Sequence, residues 1–207
     1  MKKILYIITF VLLTGCTSRI FIKHGISTNN IGDGGFISKN PCGPPCFFGI
    51  TPGITTDTDI SYLLNDLTDV FINCEEYDFT SEGGKIGLIC DYIDITYRNN
   101  IVDVIGFSPS KNITIQQVID SYGNPDLVDI DIISLPDKPY TTGMILYFDR
   151  IQTILQPPDQ KGRKFTIDKD TRIISIVYLT NNEYLETRGI EGHIPWRGYG
   201  TYYSYLR

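Results

Sequence analysis

Three kinds of residue in this chain have types and spacing suited to chemistry. Cys42-Gly-Pro-Pro-Cys46 puts two thiols close together. Carboxylates pair at Asp57/Asp59, Glu75/Glu76, Asp129/Asp131 and Asp168/Asp170. A run of rings, Trp196, Tyr199, Tyr202, Tyr203 and Tyr205, closes the chain, with Arg197 and Arg207 among them. Each points to a different activity. A dithiol enzyme needs its first cysteine at a helix N-terminus, where the thiolate is stabilised. Three intervening residues, two of them proline, do not supply that, so Cys42 and Cys46 read as a structural disulfide. Paired carboxylates serve glycosidases or hold calcium, but these pairs fall where charge has plainer uses. Asp57 and Asp59 lie in a helix first turn and complement its dipole, Asp168 and Asp170 flank a turn, and Asp129-Ile-Asp131 alternates like an exposed strand. Of the two histidines, His24 lies in an N-terminal tether and His193 would have to serve a serine triad alone, while Ser134, Ser175 and Ser204 have no nucleophile-elbow context. The sequence therefore predicts no catalytic residues, no metal site and no cofactor. Trp196, Tyr199, Tyr202 and Tyr203 remain as candidate binding residues, because Tyr and Trp combine an apolar ring with a polar tip. The same tail also suits a cover over a sheet. That reading predicts a buried Trp196 anchor with partly exposed tyrosines beyond it.

The first residues bear on where such chemistry takes place. Lys2 and Lys3 precede an apolar run from Ile4 to Leu13, and Leu13-Thr14-Gly15-Cys16 follows. The run is about half the ~20 residues a spanning helix needs. The layout resembles the signal peptide of bacterial lipoproteins, whose cysteine is acylated (palmitate or a similar chain) and becomes the mature N-terminus. The resemblance implies residues 1–15 as leader, Cys16 as the lipidation site and an address outside the cytoplasm, tied to the membrane by lipid. A net charge of −6 argues against nucleic acid as partner. With Cys16 lipidated, the even remainder of Cys42, Cys46, Cys74 and Cys90 predicts two disulfides. Three connectivities are open, the simplest being Cys42–Cys46 with Cys74–Cys90.

The Gly/Asn-rich stretch over residues 16–40 reads as a tether. Beyond it, two segments look alike. Thr56…Asp59 and Thr114…Gln117 both have capping-box spacing, the second with Ile113 and Val118 placed as a hydrophobic staple. Gly123 and Pro125 stop the second helix, and Asn65 is the matching stop in the first. Strand patterns follow each, with Asn99-Asn100 as a two-residue hairpin turn. The predicted fold is α+β, two tandem repeats of a short helix followed by an antiparallel β-meander: residues 41–110, then 111–185, then an aromatic tail over 186–207 packing on the second repeat.

Thr114-x-x-Gln117-Val118-x-x-x-Tyr122-Gly123-x-Pro125 resembles the helix signature of the BamE (SmpA/OmlA) lipoproteins. The doubled unit is similar to the BLIP-like inhibitor fold. The first copy departs from it, with Asp59 for the Gln and Asn65 for the Gly. The Cys42–Gly53 region and Pro195-Trp196-x-Gly-Tyr-Gly200 also resemble uncharacterised secreted proteins of Chloroflexi-type bacteria. The last resemblance supports an extracytoplasmic address and implies no activity; the lipid anchor, the doubled unit and the lack of a catalytic set together lead to the expectation of a non-catalytic lipoprotein of the cell envelope that binds a protein or envelope polymer. The alternatives are a carboxylate-dependent hydrolase of such polymers and an inhibitor of an extracellular enzyme.

Overall fold

A computed structural model describes residues 31–79, 85–135, 138–155, 164–188 and 193–203. Its local elements begin where side chains satisfy backbone groups. Helix α1 (Asp57–Asp66) is capped by Thr56, which accepts from the Asp59 N–H while Asp59 accepts from the Thr56 N–H at 3.0 Å. Helix α2 (Ile115–Tyr122) repeats this with Thr114 and Gln117 and buries Ile115 and Val118. Ile113 is buried too, as the staple requires. Gly123 ends α2 at φ +80°. The first helix stops differently from the sequence expectation. Asn65 stays helical, its amide donating to the Ser61 carbonyl at 3.0 Å, and Leu67 forms the cap.

Strands β1 (Glu75–Phe79), β2 (Lys85–Ile89), β3 (Ile93–Arg98) and β4 (Ile101–Phe107) follow α1. Asn99 and Asn100, both at positive φ, join β3 to β4, since asparagine tolerates the left-handed region that a two-residue hairpin demands. The two-residue β5 (Ile113–Thr114) leads into α2. Then come β6 (Leu127–Leu135), β7 (Lys138–Phe148), β8 (Ile151–Leu155), β9 (Lys164–Ile167) and β10 (Arg172–Leu179). Helix α3 (Asn181–Arg188) and strands β11 (Ile194–Pro195) and β12 (Gly200–Tyr203) complete the described chain.

The tandem-repeat expectation is overturned by how these strands pair. Ten of them form one antiparallel sheet in the order β1-β2-β3-β4-β10-β8-β7-β6-β11, with β5 beside β10. The last long strand, β10, pairs with β4 on one side and β8 on the other. It therefore seams the two halves of the sequence together, and there are no two separate meanders. The alternation that marks each strand is the same whatever strand lies beside it, so sequence pattern alone does not carry this pairing.

The sheet has two unequal faces, because successive side chains point to opposite sides. Tyr178, Leu146, Ile105 and Phe107 belong to the main buried cluster, together with Ile60 of α1 and Ile115 and Val118 of α2. Their neighbours Leu179 and Tyr147 belong to a smaller cluster closed by Tyr184 of α3. Thr180 caps α3 by accepting from the Glu183 N–H at 3.3 Å, and Glu183 bonds Arg98 of β3 at 3.0 Å. Thr180…Glu183 has the same cap spacing as the other two helices; the tandem-repeat pattern ran past it.

The tether also needs correcting. Residues 31–38 are turns packed into the main cluster, with Ile31 and Phe36 buried. The glycines there serve close approach rather than looseness. A Cβ on Gly34 would lie 2.6 Å from the Phe107 ring, and one on Gly35 would lie 2.1 Å from the Cys42 carbonyl oxygen. Phe36 stacks on Tyr122 of α2 at 4.9 Å between centroids. The folded part thus begins at or before Ile31, ahead of Pro41.

Candidate functional site

The aromatic tail folds around one ring, and it is not the expected one. Strand β12 pairs with β9 in a small sheet of its own, setting Tyr202 against Phe165 and Tyr203 against Lys164. Phe165 faces the core, so Tyr202 does too and is only 2% exposed, while Tyr203 faces out at 52%. The Tyr202 hydroxyl accepts from the Arg197 N–H at 3.0 Å and donates to the Gly198 carbonyl at 2.7 Å. Trp196 lies half-buried across it, its ring 6.0 Å away and inclined by 19°, and the Arg197 guanidinium covers it at 5.2 Å. Tyr202 is the anchor, Trp196 rests on it, and Tyr202 is removed from the residues that can touch a ligand.

Tyr199 stands out from this base. It meets Trp196 nearly edge-on, at 6.1 Å and 87°, and remains 43% exposed. Its hydroxyl donates to the Gln116 side-chain oxygen Oε1 at 2.6 Å, and the Gln116 side-chain Nε2 donates to Asp120 at 2.7 Å. Gln116 and Asp120 are four apart on α2 and so share one face. The helix is itself tied down, since the Ile115 and Gln116 N–H groups donate to the carbonyls of Thr171 and Lys169. That turn is ordered by Asp168, which accepts from the Asp170 N–H at 2.9 Å and the Thr171 hydroxyl at 3.1 Å. Partial burial raises the proton affinity of the Tyr199 hydroxyl, and Asp120, Asp168 and Asp170 raise it further. Tyr199 is thus held at its ring and its hydroxyl above the half-buried Trp196 and the buried Tyr202, with carboxylates at the rim. The sequence pointed to the rings; it missed Gln116, whose only signal is its place one residue into a capped helix.

The other candidates are dispersed. Asp59 serves the α1 cap, and hydrogen bonds from Thr56 hold its carboxyl below the usual range. Glu75 and Glu76 are neighbours on β1, where Glu75 accepts from the Tyr77 hydroxyl at 3.0 Å. Asp129 does not sit on an open strand face. It is half-buried, 3.9 Å from His193 Nε2, and the His193 ring packs edge-on to Tyr147 at 4.9 Å. Asp94 was not anticipated. It shares a cross-strand row with Gly106, Val177, Gln152 and Tyr147. The residue is exposed, but the surrounding sheet partly desolvates its carboxyl and pushes it up to about 6. Among the described residues no group of three or more His, Cys, Asp or Glu is placed to hold a metal ion. Residues 1–30, with Cys16 and His24, lie outside the described residues, as do Asp131 as a side chain and the tail beyond Tyr203, with Tyr205 and Arg207.

Cys42 bonds Cys46 and Cys74 bonds Cys90, the simplest of the three connectivities. Two disulfides suit an oxidising, extracytoplasmic compartment. Among the described residues no helix is long and apolar enough to cross a membrane. The chain matches no family model, no curated protein and no solved structure.

Proposed function

We propose that this protein is a non-catalytic binding protein of the cell envelope, held to the membrane through acylated Cys16 and capturing a protein or envelope polymer on its aromatic platform. One observation carries the reading: Tyr199 and Tyr203 are exposed, and Tyr199 is fixed at its ring by Trp196 and at its hydroxyl by Gln116. A fixed aromatic surface loses little conformational entropy on binding, which favours affinity. The lipid follows from the leader pattern, and the two disulfides support the compartment.

The test is capture from envelope extract by the mature protein. The expected result is a bound component that Tyr199→Ala releases and Tyr199→Phe retains, because phenylalanine keeps the ring. Equal capture by wild type and Tyr199→Ala would remove the platform from the account. For the anchor, Cys16→Ala should abolish labelling by a radioactive fatty acid; persistent labelling would rule out that site.

A further inference from the structure

We infer that the platform's ligand is an uncharged polysaccharide, one sugar ring stacking on Tyr199 and its hydroxyls bonding to the acceptors at the rim. This rests on the platform being the binding surface. The Tyr199 hydroxyl already donates to Gln116, so what the residue offers a ligand is its ring face. That face carries the negative end of the ring quadrupole. A pyranose presents a row of weakly positive C–H bonds on one side and hydroxyls around its edge, so it fits a ring face bordered by acceptors. The border here is Gln116, Asp120, Asp168 and Asp170, all on α2 or the turn that ties it down. Carboxylates accept hydrogen bonds strongly from hydroxyl donors. They also oppose any polymer bearing phosphate, sulfate or carboxylate, and their field is already felt at Tyr199.

A second exposed ring lies four residues further along the chain. Thr201 and Tyr203 share the outer face of β12, opposite Tyr202, and the Thr201 and Thr166 hydroxyls lie 3.0 Å apart across the β12–β9 pair. Tyr203 is thus a second exposed ring, on the small sheet beyond the turn that carries Tyr199, with this pair of hydroxyls on the same face of β12. A basic protein would also be drawn to carboxylates, but it would depend on charge rather than on ring faces, and salt separates the two.

The experiment is sedimentation of the full mature protein with three insoluble matrices: cellulose, chitin and cross-linked polygalacturonate. It is run at about 0.1 M and about 0.5 M NaCl, since salt screens charge attraction between exposed groups. The expected result is retention on a neutral matrix, unchanged by salt. Tyr199→Ala should weaken it at least about tenfold, the equivalent of ~1.4 kcal/mol, while Tyr199→Phe, which keeps the ring and loses the tie to Gln116, should fall between wild type and Tyr199→Ala. Retention on polygalacturonate alone, or retention lost at the higher salt, would overturn the polysaccharide class. So would failure on all three matrices while capture from envelope extract still depends on Tyr199. Neutral-matrix retention that Tyr199→Ala leaves intact would overturn the platform itself.

Discussion

Helices α1 and α2 start in the same way and end up with different work. Each has a threonine cap closed by the residue three places on. Yet α1 buries only Ile60 and leaves Tyr62 exposed, whereas α2 is held at both ends by distant parts of the chain. At its C-terminal end the Tyr122 hydroxyl donates to the Phe36 carbonyl, 86 residues away, and the Lys39 ammonium donates to that hydroxyl at 2.7 Å. At its N-terminal end Gln116 receives Tyr199 from 83 residues away. The difference teaches that a cap fixes where a helix begins, while its neighbours decide whether it becomes a hub. The platform exists because α2 became one.

The largest effect should come from the buried ring at the base of the platform. Tyr202→Ala should cost ~3 kcal/mol or more, as for other buried aromatic truncations. Trp196→Ala, half-buried, should cost roughly half as much in proportion to the area it covers. Urea midpoints compare them, and a larger loss for Trp196→Ala would restore tryptophan as the anchor. The single tyrosine on each helix comes next. Tyr122→Ala removes a stacked ring and a hydrogen bond and should cost about 2–3 kcal/mol. Tyr62→Ala, at an exposed site on α1, should stay within about 0.5 kcal/mol. Similar midpoint shifts for the two would erase the contrast between the helices.

The caps should show the reverse, a likeness. Thr56→Ala and Thr114→Ala should each cost ~1 kcal/mol, because each removes the same local bond. If thermal or urea melts give clearly unequal losses, the cap is not independent of its tertiary setting.

The smallest effect is a slope in acid. Burial alone would raise the Asp33 carboxyl, but the Ser38 N–H and hydroxyl, the Gly35 N–H and the charge of Lys111 together hold it below the ordinary 3.8. A carboxyl lowered by folding stabilises the fold fully above that ordinary value. The contribution is lost as pH falls through the lower folded value. Urea midpoints between about pH 5 and pH 2 should therefore decline, and Asp33→Asn should flatten part of that decline. An unchanged slope would detach Asp33 from the N-terminal turn that clasps α2.

The sequence by itself determined the features that depend on a few adjacent residues. Thr114 and Gln117 lie within one helical turn of each other, and Asn99-Asn100 is its own turn, so both act wherever the rest of the chain goes. Cysteine count and separation limited the disulfides to a short menu. The tertiary structure decided everything that depends on register and neighbour. Strand β4 carries the same alternation whether it ends a sheet or meets β10, and only assembly made the latter true. Glycines at 34 and 35 read as slack until Phe107 and Cys42 are seen against them. Tyr202 and Tyr203 are the same residue type side by side. Which is anchor and which is surface follows from the pairing of Tyr202 with buried Phe165, because adjacent strand residues must face opposite ways.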